Sequence, residues 1–321
     1  MILVASAAVL LAVLAVAVYL RLARSRRWLA EPTARGAHAA PTPSGAGLAL
    51  FAALAAALLL ADAPPGPYAL PLAVTFSLVL VGFVDDLRHL PAALRLAVYG
   101  AAALLGTGWL VTGAGAAGLL IWLPLAFTVL AFTNFYNFMD GIDGLAALQC
   151  VSAAGLAAWL GATAGASPGY LVLCLALAGV HAGFLLYNRP PARLFMGDAG
   201  SIPTGFLLAV LAVAGPWREG LSPVCWPILL ALFTCDAGLT LLFRALRGAP
   251  LAQAHREHLY QRLARRWGSH GRVDGLFLAV QWLWLSPLAW LAAEVPALAW
   301  PLLALAHAPV IVAMVKYRHL Q

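Results

Sequence analysis

Apolar runs long enough to cross a lipid bilayer recur along the whole chain, at about 2–20, 46–61, 69–84, 92–111, 119–135, 145–163, 169–187, 201–216, 222–243, 275–293 and 297–315. A helix needs about 20 such residues to span hydrocarbon. In lipid every backbone polar group must pair internally, so spans are helices or closed barrels, and the two-residue alternation of a barrel is missing. The expected fold is therefore an all-α, polytopic integral membrane protein of eleven transmembrane helices, with ten as the alternative. It forms one membrane-embedded domain over 1–321, with cytoplasmic loops at about 21–45, 85–91, 136–144, 188–200 and 244–274. Composition excludes an ordinary soluble globule, since 63% of residues are hydrophobic and only 12 are acidic. The first run resembles the apolar part of a signal peptide, but its basic residues follow it, so a retained anchor is expected.

The net charge of +7 is distributed by side of the membrane and gives no footprint for nucleic acid. With the amino terminus placed outside, every one of the 19 basic residues except Arg218 falls in an odd-numbered connection or after the last span. Positive charge is retained on the cytoplasmic side. That alternation predicts a periplasmic amino terminus and a cytoplasmic carboxyl terminus in a bacterial inner membrane. Cys150, Cys174, Cys225 and Cys235 all lie in apolar segments without paired metal spacing and read as reduced core residues.

Chemistry-bearing residues collect in the same odd-numbered connections. The stretch NFYNFMDGIDGL at 134–145 sets Asn134, Asn137, Asp140 and Asp143 three residues apart at the end of an apolar run. Polar groups are costly beside a membrane, so the ladder reads as a carboxylate cluster facing a cavity, or as a polar loop between helices. Asp85 and Asp86 are adjacent at the end of the third run, where like charges either raise one pKa or share a cation. Asp198 lies between glycines before another run, as a helix cap with Ser201 or as a hard oxygen ligand for magnesium. Arg35 and His38 lie in a proline- and glycine-rich segment that is either a turn or an anion contact. His255 and His258, at three-residue spacing on one helix face, suit a phosphate-binding patch with Arg256 and Arg262 better than metal ligation. Asp236 sits inside an apolar run, either functional or paired with Arg244.

Hard carboxylates that can hold magnesium, beside arginines and histidines, suit phosphoryl transfer to or from a diphosphate. The adjacent Asp85 and Asp86, the 134–146 stretch, FMGDAGS at 195–201 and HREHLYQR at 255–262 together resemble the polyprenyl-phosphate N-acetylhexosamine-1-phosphate transferase superfamily, of the glycosyltransferase family 4 type. That superfamily includes the phospho-N-acetylmuramoyl-pentapeptide translocase and the enzymes initiating O-antigen-like polysaccharides. The resemblance implies transfer of a sugar-1-phosphate from a UDP-N-acetylhexosamine to undecaprenyl phosphate, releasing UMP with magnesium or manganese. It further implies that Asp85 or Asp86 deprotonates or orients the lipid phosphate, that Asp198 holds the metal with Asp86, and that Asp140 and Asp143 belong to the catalytic centre. Asn134 and Asn137 would bind substrate, Phe195 would stack near uracil, and His255, Arg256 and His258 would lie near the diphosphate or sugar. The His-Arg-Glu-His motif is closer to the polysaccharide-initiating branch than to the triple histidine of the peptidoglycan enzymes. Ser44 stands where a basic residue is common, so cationic duty in that loop falls to Arg35 or His38. Expected partners are both substrates, the bilayer and a second copy in a homodimer, with no nucleic acid.

A multi-span lipid or ion-coupled transporter is the alternative from another class, and it predicts acids spread through the bilayer midplane. Direct attack by the lipid phosphate and a two-step route through an aspartyl-phosphate are both compatible with these residues.

Overall fold

The computed structural model describes residues 1–30, 41–61, 66–112, 115–250 and 255–317. In chain order, α1 (Ile2–Arg26) is followed by a two-residue antiparallel ladder of β1 (Leu29–Ala30) and β2 (Thr42–Pro43). Next come α2 (Gly47–Leu60), α3 (Ala69–Arg88), α4 (Ala92–Gly108), α5 (Gly115–Met139), α6 (Leu145–Thr163), α7 (Pro168–Asn188) and α8 (Asp198–Arg218). The chain ends with α9 (Cys225–Leu229), α10 (Ala231–Leu246), α11 (Leu259–Trp267), α12 (His270–Val280), α13 (Ser286–Glu294) and α14 (Ala299–Tyr317).

Every apolar run is helical, as expected for an all-α membrane protein. Among the described residues, nine helical stretches are long and apolar enough to cross a membrane, against the eleven runs in the sequence. The difference lies in two places. The helix α2 has only 14 residues, and the run at 222–243 is interrupted at Leu230, which ends α9 and caps α10. A π-helical turn at Gln281–Leu285 joins α12 to α13, and the Ser286 hydroxyl donates to the Gln281 carbonyl there. That is the local adjustment expected just before Pro287, which has no backbone N–H. All four cysteines are free and buried.

The centre of the bundle is α8, with 89% of its span buried against 22% for α1. Its surroundings are mostly apolar, and its buried hydroxyls at Ser201 and Thr204 are met by Asn137 and His181. Small residues let its neighbours come close. The backbone of Thr133 and the side chain of Tyr136 in α5 cross at Gly205, while Gly47 of α2 and Gly82 of α3 press on the main chain at Asp198 and Ala199. On the flank, Gly179 and Gly183 of α7 face Ala8 and Ala12 of α1, a small-residue seam typical of membrane helices.

The two ends of the bundle differ in chemistry. At one, Tyr68 and Ser167 donate to the buried Glu219 carboxylate, and Arg218 donates to the carbonyls of Trp109 and Leu110. At the other, the ends of α3, α5, α7 and α10 meet the starts of α4, α6, α8, α11 and α12. All of the sequence-nominated site residues in the described chain lie there.

Candidate active site

The site is built where α8 begins. Gly197 adopts a positive φ of 70° and Asp198 opens the helix. Its first N–H groups have no intrahelical partners, and Asp86 of α3 supplies them: its two carboxylate oxygens accept from Asp198 N–H at 2.8 Å and Ala199 N–H at 3.1 Å. The cap that the sequence suggested for Asp198 with Ser201 thus comes from another helix. Asn137 of α5 donates to Asp198 Oδ1 at 2.7 Å and to Ser201 Oγ at 2.8 Å. Asp85 reaches the same cluster from the other side: Oδ1 accepts from Leu90 N–H at 2.6 Å, and Oδ2 lies 3.0 Å from Arg95. Arg95 also reaches within 3.5 Å of Asp198 Oδ2.

Asp140 follows the last residue of α5, and among the described residues its carboxyl has no hydrogen-bond donor. Burial, followed by the nearby Asp198, Asp86 and Asp143, pushes its pKa well above the carboxylate range. Four carboxylates thus gather at the start of α8, and two of them, Asp85 and Asp198, face the Arg95 guanidinium. In the sequence Arg95 marks only sidedness; the available signal for a site role is its position ten residues after Asp85.

The ladder does not form a single face. Asn134 donates back to the Leu130 carbonyl of its own helix, Asn137 and Asp140 turn to the α8 cluster, and Asp143 accepts from Ala192 N–H at 3.0 Å. The helix stops at Met139 and Gly144 takes a φ of 86°, so the last two steps leave the helical repeat. Phe195 is held through its backbone, its N–H bonding to Pro43 and its carbonyl to Ala46 N–H, which places it beside the cluster. Arg35 and His38 lie outside the described residues.

The histidine motif docks on the end of α5. Asp236 of α10 accepts from Leu259 and Tyr260 N–H at 2.9 and 3.0 Å, capping α11, and lies 3.2 Å from His258 Nδ1. The pairing with Arg244 weighed from the sequence does not occur, because Arg244, Arg247 and Arg262 converge on Glu257. Nor do the two histidines share a helix face. His255 lies outside any helix or strand and His258 is the cap of α11, their rings stacked at 4.9 Å. Tyr260 donates to the Phe138 carbonyl at 2.8 Å and its hydroxyl abuts Gly141. Arg256 follows His255 and is half-buried.

Burial, then His258 and Arg244, lower the His255 pKa to about 4. The fold thus holds His255 neutral, so it contributes hydrogen bonds, and positive charge comes from the arginines. Because the folded value lies below the ordinary 6.5, protonation of the unfolded chain costs stability as pH falls from about 6.5 to about 4. Thermal melts of wild type and His255→Gln are expected to run parallel at pH 7–8 and to converge in acid as wild type loses its advantage. Parallel melts throughout would mean that His255 titrates normally.

Among the described residues no three His, Cys, Asp or Glu side chains form a ready metal cage. The donor set nevertheless fits a magnesium ion, which uses one or two carboxylates and fills its remaining positions with water and phosphate oxygens. The unpartnered Asp140 carboxyl and Asp198 are the suitable pair. Each Asp86 oxygen accepts one backbone N–H and keeps a second lone pair for the metal contact expected of it.

The family described as Glycosyl transferase family 4 matches residues 68–216. The chain is 36% identical over 200 residues to the phospho-N-acetylmuramoyl-pentapeptide-transferase of Synechococcus elongatus, covering 54% of each protein. It is 31% identical over 309 residues to the decaprenyl-phosphate N-acetylglucosaminephosphotransferase of Mycolicibacterium smegmatis, and 30% identical to that of Mycobacterium tuberculosis. Those two alignments cover 83% of this chain and 75% of each relative, whereas the chain spans about half the length of the peptidoglycan-type relatives. With relatives matched across most of both chains and the four motifs meeting at one end of the bundle, the chain belongs to glycosyl transferase family 4.

Proposed function

We propose that the chain transfers N-acetylhexosamine-1-phosphate from a UDP-sugar to undecaprenyl phosphate, yielding undecaprenyl-diphosphate-sugar and UMP at the cytoplasmic face of a bacterial inner membrane. This would begin a cell-envelope polysaccharide. The observation that carries the reading is the meeting, on the end of α5, of a carboxylate cluster and a loop rich in arginine. A diphosphate with a divalent cation needs both. Acids collected at one end of the bundle favour this over a transporter, whose coupling residues would lie at mid-bilayer. The mycobacterial relatives, named as decaprenyl-phosphate N-acetylglucosaminephosphotransferases, support an N-acetylhexosamine donor.

Asp198 and Asp140 would hold magnesium. When bound, the ion would neutralise charge on the phosphates and on the departing UMP. Asn137 fixes the Asp198 carboxylate, and Asp86 fixes the helix start that carries it. Arg95 balances Asp85 and Asp198 before substrate arrives. Arg256 and Arg262 would meet the diphosphate, and neutral His255 would donate or accept a hydrogen bond at the sugar or phosphate. We favour direct in-line attack by the lipid phosphate oxygen on the β-phosphorus, since positioning and charge stabilisation account for most of the acceleration in such transfers.

The deciding experiment is UMP release by purified protein supplied with undecaprenyl phosphate, magnesium and a panel of UDP-N-acetylhexosamines. Lipid-dependent release identifies the sugar; absence of release from folded protein with every donor sinks the reading. A separate expectation concerns Asp140, whose carboxyl is crowded by Asp198, Asp86 and Asp143 and has no hydrogen-bond donor among the described residues. Asp140→Asn should lose roughly 10²–10³-fold in turnover while raising the melting temperature of the metal-free protein. A lowered melting temperature would show that the Asp140 carboxylate is a structural partner.

A further inference from the structure

The first turn of α12 faces the loop that closes the polar ladder, and no motif drew attention to it. His270 Nδ1 lies 3.2 Å from Asp143 Oδ2 and 3.4 Å from Asp143 N. The Asp143 N–H donates to Nδ1, so this ring nitrogen is the acceptor, and the Asp143 carboxylate lies alongside it. The same Asp143 oxygen accepts from Ala192 N–H. The next residue, Gly144, donates to Asn188 Oδ1 at 2.9 Å, and Asn188 donates onward to the Leu194 carbonyl at 3.1 Å. One turn further along α12, Asp274 is buried against Gly144. A Cβ there would stand 2.7 Å from Asp274 Oδ2, on a backbone with φ of 86° that already requires glycine. The other Asp274 oxygen is buried without a partner among the described residues. The turn at 140–144 is thus gripped from one side by the chain at 188–194 and from the other by α12.

We propose that His270 is a positioning residue that acts through Asp143, holding the 140–144 turn so that Asp140 faces the start of α8, with Asp274 backing the turn at Gly144. The proposal rests on the transferase reading for its kinetic consequence and on geometry alone for its structural one. His270 touches no reacting atom in this scheme. Its loss weakens turnover because a carboxylate displaced by about 1 Å loses much of its effect.

The test compares wild type, His270→Ala, His270→Asn, Asp143→Asn and the His270→Ala/Asp143→Asn pair in detergent, each checked for an intact melting transition. His270→Ala should lower kcat by roughly 10–100-fold, with a smaller change in KM for the UDP-sugar, as is usual for groups that orient a catalytic ligand. The Asn side chain can place its amide oxygen, an acceptor for the Asp143 N–H, near the site of Nδ1, so His270→Asn should recover most of the loss. In the Asp143→Asn background, His270→Ala should have little further effect, because its route to the site is already weakened. Independent, multiplying losses, or Asn performing no better than Ala, would overturn the proposal. If wild type itself releases no UMP, the transferase reading fails separately, and amide hydrogen exchange decides the positioning role. Faster exchange at Asp143 and Gly144 in His270→Ala, restored in His270→Asn, sustains it; unchanged exchange refutes it.

Discussion

Asp198→Asn is expected to reduce lipid-dependent UMP release by roughly 10³-fold, the largest loss from any isosteric change in this protein. The substitution keeps size and shape, and the new amide oxygen can still accept from Asn137. It removes the charge that faces Arg95 and, in the proposed mechanism, a principal oxygen for the cation. The new amide nitrogen would also point a donor at that guanidinium or at the cation. Since four acids crowd this end of the bundle, losing one charge should leave the melting temperature unchanged or raise it. The measurement is UMP release against magnesium concentration, alongside a melt. Activity within about tenfold of wild type would remove Asp198 from the chemistry, and recovery at high magnesium would make it an affinity residue only.

Gly82→Ala should be nearly as damaging although it touches no ionisable group. A Cβ at Gly82 would clash with the Asp198 carbonyl group and stand 2.7 Å from Ala199 N. Backbone cannot rotate away as a side chain can, so α3 and α8 would have to separate. Overpacking of this kind costs about 1–3 kcal/mol in stability. An error of about 1 Å at the start of α8 would cost roughly 10²-fold in turnover. Gly100→Ala is the matched control: it lies in α4 with open space around it and should be neutral or slightly stabilising. Wild-type turnover in Gly82→Ala would show that the two helices part without disturbing the site.

The spans were legible because hydropathy is a local property, and the apolar runs reappear as helices. What hydropathy could not show was continuity, hence the break at Leu230. Among site residues, Asp236 stood out for its apolar setting, but its partners, the start of α11 and His258, lie over twenty positions away and leave no local trace. Asp85 and Asp86 were read as a unit because they are neighbours in sequence. On a helix, consecutive side chains point about 100° apart, and the two carboxylates accordingly serve different partners. His255 and His258 were placed on a helix by their spacing, but a residue that caps a helix has left the helical repeat. Arg95, Glu257 and His270 acquire meaning only from contacts across the fold, and their own neighbourhoods in the sequence are unremarkable.

Asp86 carries one more implication. Its carboxylate supports the helix on which Asp198 rides, as a keystone bears load, whatever else it contributes. Removing it would silence the protein as thoroughly as removing a group that makes or breaks bonds. A ranking of substitutions by lost turnover would therefore place scaffold and reagent side by side. Telling them apart at this end of the bundle requires asking, for each silent variant, whether the helix start is still where it was.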